Sequence, residues 1–371
     1  MKNVLFTLLL CLTAFLSKAQ SAIELNNLAS AAAMKGDYKT ALDYYNKTID
    51  LDPTATEPYI GRATTKCFLQ NPKSALLDFN KAVELGAKES NELLMNRGTC
   101  KRQLNDLEGA IKDFSKAIAS NPKNYQAYNY RGDCWSNLEK YKEANADYTK
   151  SIEINSSSEY AYASRANNRL PLGEFKEAIA DFSAAIRIEE KGYTYYGRGF
   201  CKAQLNAHKG AVQDYDKAIT LSPNVSGYYR ARAESRKSLE DYEGAIQDYG
   251  FLLKFDPQNL NALYMRGSLL CLLNKSQEGI NDLDAYLLLK PNNSSAYFNR
   301  GSAKEALQDY KGAIADFSKA ISIDPNDPSA YYGRGNTRGK SGDSKGACED
   351  FKKATEMGHP GAKEMLEQNC K

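Results

Sequence analysis

Small and apolar residues recur along this chain at helical spacing, interrupted by brief polar breaks, and the whole alternation returns about every 34 residues. Ten times a small residue stands four positions before a large apolar one. The pairs are Ala41 with Tyr45, Ala75 with Phe79, Ala110 with Phe114, Ala144 with Tyr148 and Ala178 with Phe182. They continue with Ala211 and Tyr215, Ala245 and Tyr249, Gly279 and Leu283, Ala313 and Phe317, and Ala347 and Phe351. A four-residue step puts both side chains on one helix face. Polar breaks such as Gly36-Asp37-Tyr38 and Gln308-Asp309-Tyr310 predict a turn between two helices. A strict period of this length predicts a stack of helix hairpins instead of one globular core with a single cleft.

With the small residue set at position 20, the units span 22–55, 56–89, 91–124, 125–158, 159–191, 192–225, 226–259, 260–293, 294–327 and 328–361. Position 8 is always Ala or Gly, from Ala29 to Gly335. Small residues at positions 8 and 20 let two helices approach closely, and the residue at position 24 covers the seam, worth ~1.5–3 kcal/mol when fully buried. Position 32 is proline in six units, among them Pro53, Pro122 and Pro325, which ends the second helix. Residues 362–371 predict a short capping helix after Gly358-His359-Pro360-Gly361. The eighth unit departs most, with Gly279, Leu283 and Tyr286 at positions 20, 24 and 27, and local opening is expected around 274–290.

These positions resemble the tetratricopeptide repeat family: small residues at 8, 20 and 27, an aromatic at 24 and proline at 32. Position 4 is mostly tyrosine where that family often has tryptophan, and position 7 is arginine in nine units. The resemblance implies an all-α, right-handed α-solenoid whose first helices line a concave groove through positions 2, 5, 9 and 12. On that basis Asn129, Asp133, Asn167, Tyr196, Phe200, Arg230, Glu234, Tyr264, Phe298, Tyr332 and Asn336 are candidate peptide-binding residues. Aromatic faces would give contact area and the amides would fix a peptide's register. The competing reading is that the tyrosines only pack between hairpins.

Position 7 arginines, from Arg62 to Arg334, are matched by position 23 aspartates, from Asp78 to Asp350, and the first unit lacks both. In an antiparallel hairpin the two positions stand at one height. They form either a basic ladder for an acidic ligand or a set of paired charges holding hairpins together. Joint presence and joint absence favour the second.

The first residues differ from the rest. Lys2 and Asn3 precede an apolar run, Val4 to Leu16, followed by Ser17-Lys18-Ala19, the layout of a secretory signal cleaved near Ala19. The run is short of the ~20 residues a spanning helix needs. An exported protein, periplasmic or extracellular, is therefore expected. Such a compartment allows a disulfide, and Cys348 and Cys370 lie at similar distances either side of the terminal bend. The other cysteines match no metal spacing and are expected as apolar filler.

Basic and acidic residues number 49 and 46 and are interspersed, as on solvated helix faces, so no nucleic-acid partner is expected. His208 and His359 are the only histidines, and neither sits in a nucleophile, phosphate-loop or metal motif. The expectation is a non-enzymatic scaffold without cofactor or metal that binds a protein or peptide partner. The alternative is a solenoid that binds copies of itself, and an enzyme subunit is the least favoured reading.

Overall fold

The computed structural model describes the backbone of residues 2–370 and the side chains of residues 18–370. Among the described residues all regular structure is helical. The chain divides into two compact bodies, residues 1–189 and 190–371. The N-terminal body holds α1 (Lys2–Met34), α2 (Tyr38–Leu51), α3 (Glu57–Phe68), α4 (Pro72–Glu84) and α5 (Asn91–Gln103). It continues with α6 (Leu107–Ser120), α7 (Tyr125–Asn137), α8 (Tyr141–Ile154), α9 (Glu159–Arg169) and α10 (Phe175–Ile188). The C-terminal body holds α11 (Gly192–Gln204), α12 (His208–Leu221), α13 (Ser226–Ser238), α14 (Tyr242–Phe255), α15 (Leu260–Leu272) and α16 (Ser276–Leu289). It ends with α17 (Ser294–Ala306), α18 (Tyr310–Ile323), α19 (Pro328–Lys340), α20 (Ser344–Glu356) and α21 (Ala362–Asn369). Within each body odd and even helices pair as antiparallel hairpins, and each hairpin packs on the next.

The turn of every hairpin is set at position 15. Gly36, Gly173 and Gly342 take φ of 79°, 72° and 91° there, and Gln70, Asn105, Glu139, Asn206, Glu240, Asn274 and Gln308 adopt the same left-handed backbone at 55–63°. One left-handed residue closes the first helix, and in six hairpins an Asp or Asn at position 16 then opens the second, where Lys140, Glu174, Ala207 and Lys275 stand in the others without a side-chain cap. Asp37, Asn71, Asp106, Asp241, Asp309 and Asp343 each accept a hydrogen bond from a backbone N–H three residues on.

The position 24 side chains are wedges. Phe79, Phe114, Phe182 and Phe317 are fully buried. A Cβ on Gly301 would lie 3.2 Å from the Phe317 ring, and one on Gly333, in the following hairpin, 2.8 Å from the same ring. The ring is thus clamped between its own first helix and that of its neighbour. Cys134 and Cys201 are likewise buried filler, and burial pushes both thiols up to about 12.

Two findings refine the sequence reading. Helix α1 runs unbroken from residue 2 through the boundary at Ala22, because Ser17-Lys18-Ala19-Gln20-Ser21 holds no Gly or Pro to stop it. The side chains of the apolar run and of Cys11 lie outside the described residues. The eighth hairpin fills its seam differently: Leu283 is fully buried, and Tyr286 packs on Tyr264 at 5.3 Å and accepts a hydrogen bond from Asn293. At the C-terminus Cys348 on α20 is bonded to Cys370 after α21, with Cα atoms 5.6 Å apart, which ties the last helix down.

Gly279 is required by space, not tolerated. A Cβ there would stand 2.5 Å from Cys271 Sγ and 2.8 Å from the Gly267 carbonyl oxygen. Helix propensity alone would make Gly279→Ala stabilising by ~1 kcal/mol. We expect it to destabilise, measured by urea unfolding beside the unsubstituted chain; a rise in stability would contradict the close approach.

Candidate functional site

Nine guanidinium–carboxylate pairs run through the hairpins. Each position 7 arginine donates Nε and Nη2 to the position 23 aspartate of its own hairpin, at 2.7–3.0 Å and 2.5–2.7 Å. These aspartates are buried, none more than 7% exposed. In seven hairpins a second cation at position 11 reaches the same carboxylate, as Lys66 does to Asp78 and Arg338 to Asp350. Trp135 and Leu270 replace it in the other two.

The third nitrogen reaches backwards. Nη1 of Arg62, Arg131, Arg165, Arg232, Arg300 and Arg334 donates to Asn46, Ser115, Thr149, Asp216, Asp284 and Ser318, all at position 25 of the preceding hairpin. The position 4 tyrosine lies over the guanidinium in seven hairpins, 5.3–5.8 Å from ring centroid to Cζ. Hydrogen bonds donated to the aspartates push the pKa of Arg97, Arg131, Arg198 and Arg266 further up. Engaged on these sides, the ladder is a buttress within and between hairpins.

The eleven candidate residues divide by accessibility. Asp133, on α7, is 9% exposed and accepts hydrogen bonds from Tyr148 at 2.9 Å and Tyr160 at 2.6 Å, while Arg102 pairs with it at 3.0 Å. It bridges three hairpins and is not presented to a ligand, a correction to its reading as a groove residue. Burial, reinforced by the Asp133 charge, raises the pKa of both phenols and keeps them as donors. Asn129 is 4% exposed and is enclosed as well, with its Oδ1 unpaired among the described atoms. Glu234 accepts from Tyr249 at 2.5 Å and pairs with Lys237 at 2.6 Å.

The aromatic row is half-buried and packs mainly inside its own hairpins. Tyr196 lies 5.8 Å from Tyr215 and stacks on Tyr228 of the next hairpin at 5.1 Å. Phe298 meets Phe317 edge-on at 5.5 Å. Tyr332 lies 5.9 Å from Phe351 and is covered by His359 at 4.1 Å, so it belongs to the C-terminal cap. Asn336 lines a hollow with Met365 and Asn369 of that cap. Phe200 is half-buried, while Asn167 and Arg230 are open to solvent.

The structure places two hollows on the first helices, joining Phe298 of the candidate set to residues that were not in it. On α3, α5 and α7 a hollow of about 460 Å³ is lined by Thr64, Glu92, Met95, Gln103, Gln126 and Tyr130. In the C-terminal body a hollow of about 530 Å³ is lined by Ser268, Leu272, Phe298, Asn299, Ser302 and Ala306. Both lie on first helices, and positions 2 and 5 of the third hairpin, Glu92 and Met95, already carried the signal. Among the described residues no His, Cys, Asp and Glu grouping could hold a metal ion, and no described helix is long and apolar enough to cross a membrane.

Family models for the tetratricopeptide repeat match residues 22–55, 193–225 and 328–357, and a further TPR repeat model matches 306–342. The chain belongs to the tetratricopeptide repeat family. A protein prenyltransferase alpha subunit repeat model matches 107–138, which is α6 and α7, the second helix of one hairpin and the first helix of the next. Sperm-associated antigen 1 of Rattus norvegicus is 39% identical over 93 residues, 25% of this chain and 10% of that protein. Tetratricopeptide repeat protein 6 of Homo sapiens is 32% identical over 94 residues, 25% of this chain and 18% of that one. The chain therefore spans less than a fifth of the length of these curated relatives. The C-terminal part of a TPR repeat-containing protein from Cytophaga hutchinsonii superimposes with a TM-score of 0.56 at 17% identity, covering 64% of this chain and 98% of that one. At that identity the likeness concerns the fold.

The ladder makes a direct prediction. Asp214→Ala leaves Arg198 and Lys202 without their buried carboxylate and should cost ~3–5 kcal/mol. Calorimetry should show the loss while partner affinity holds. Unchanged stability with lost affinity would make the ladder a ligand site instead.

Proposed function

We propose that this chain is an exported, non-enzymatic scaffold that holds an extended or helical peptide of a protein partner on its first-helix faces. The observation that carries this reading is the pair of hollows on those faces, one in each body, each mixing ring or apolar faces with amides and hydroxyls. Glu92, Gln103 and Gln126 are exposed in the first hollow, and Asn167 and Arg230 are exposed on other first helices, so polar groups remain available to a peptide backbone. Membership of the tetratricopeptide repeat family supports protein binding in general. Export rests on the apolar N-terminal run and the small residues before Gln20, and places the mature chain in the periplasm or outside the cell. In the self-association reading the same tyrosine-rich faces would bind a second copy.

Panning a random-peptide library against residues 20–371 tests the proposal. Peptides should be enriched on the unsubstituted chain, and a chain carrying Gln103→Ala, Gln126→Ala and Leu272→Ala, which line the two hollows, should retain them at least tenfold less, the equivalent of ~1.4 kcal/mol. Light scattering should show a monomer across the concentrations used. Equal retention by the substituted chain, or a concentration-dependent oligomer that excludes peptides, would overturn it.

A further inference from the structure

The eighth hairpin departs from the ladder at two positions that meet in space. Position 4 is Leu263, so the tyrosine that covers the guanidinium in seven other hairpins is missing over Arg266. Position 25 of the preceding hairpin is Gly250, which has no side chain to offer. Arg266 still holds Asp282 through Nε and Nη2, both at 2.7 Å, but its Nη1 has no hydrogen bond among the described residues. Its side chain is also the most exposed of the ladder arginines, at 28% against 8–22% for the others.

The vacated space is a cavity of about 700 Å³ between α14 and α15. Arg266 lines it together with Phe251, Leu253, Pro257, Leu263 and Lys254. A Cβ on Gly250 would meet only Arg266 Nη1, at 3.5 Å. Lys254 Nζ lies 4.9 Å from the centroid of the Phe251 ring and brings a second cation to the same wall. The pocket thus has an apolar, aromatic side and a cationic end with one unused donor.

The chain itself shows what such a donor takes. In the hairpins on either side Nη1 holds a position 25 carboxylate, Asp216 on Arg232 and Asp284 on Arg300, both at 2.6 Å. In the third hairpin, where position 4 is also leucine, Glu89 comes in from the loop to Arg97 at 2.7 Å, though on Nη2, the nitrogen that also holds Asp113. Charge-assisted bonds of this kind are about twice as strong as neutral ones.

We infer that the Gly250–Arg266 cavity is a binding site for a carboxylate carried beside an apolar or aromatic group of a partner's peptide chain. The carboxylate takes the place that Asp216 and Asp284 fill in the flanking hairpins, and the adjoining group rests on Phe251, Leu253 and Leu263. The site is formed by a second helix and the following first helix, so it is separate from the hollows on the first-helix faces and stands without them.

The test titrates phenylacetate and its neutral isostere phenylacetamide into the full chain, followed by thermal melting and by NMR shifts. Phenylacetate should raise the Tm of the unsubstituted chain and phenylacetamide should not. Gly250→Asp supplies the carboxylate internally, and should raise the basal Tm and weaken phenylacetate binding about tenfold. Leu263→Tyr, which restores the missing cover, carries the same expectation for binding if the first variant folds poorly. Two competitors separate the sources of the carboxylate: a capped Leu-Phe-Asp peptide offers only a side chain, and a Leu-Phe-Leu peptide with a free C-terminus offers only the terminal group. Competition by either supports the site and names its source. Equal responses to phenylacetate and phenylacetamide, an undiminished response in both variants, or competition by neither peptide would overturn it.

Discussion

A two-helix hairpin is too thin to bury its own seam, and the architecture of each body follows from that constraint. The position 24 ring is where it is met. Phe114 is fully buried because Gly98 of its own hairpin gives it room on one side and Tyr130 of the next hairpin lies 5.8 Å away on the other. Remove the neighbour and the ring is half uncovered. Alanine and glycine at positions 8 and 20 are the consequence: they set how near the helices come, and so how completely the wedge is enclosed. Gly279, pressed against Gly267 and Cys271, is the tightest version of the same close approach.

The arginine ladder gives the stack its register. Apolar seams alone would allow neighbouring hairpins to slide, because burial is non-directional. A guanidinium that spends two nitrogens on its own hairpin and the third on the preceding one fixes both the pairing within a hairpin and the offset between hairpins. The buried carboxylate is held by Arg232 and Arg236 at Asp248, for example, so neither partner is left charged and alone. Where a member of this set is missing, as at Gly250 and Leu263, the gap is a cavity with a defined chemical preference. A structural rule and a candidate binding site are then the same feature seen in two hairpins.

The repeat, its turns and the arginine–aspartate pairs could be read from the sequence because each is a local spacing repeated many times. The left-handed residue at position 15 is disguised, since glutamine, asparagine and glutamate fill it in seven hairpins and glycine in three. The enclosure of Asp133 was not legible: it depends on Tyr148 and Tyr160, which reach it from two other helices, and no spacing along one helix reveals that. Nor was the use of Tyr332 by the cap, because His359 comes from beyond the last repeat. The position 25 link was hidden for a different reason. Its side chains vary from Asn and Ser to Thr and Asp, and only the sixteen-residue reach of the guanidinium unites them.

Mutual enclosure by adjacent hairpins is tested most directly by native-state hydrogen exchange on the full chain carrying Phe114→Ala. Losing a fully buried ring should cost ~3–5 kcal/mol. The account predicts faster exchange in α5 and α6, which hold the ring, and also in α7, which covers it from the next hairpin. Faster exchange confined to residues 91–120, with α7 protected as before, would show that each hairpin stands by itself and would contradict the account.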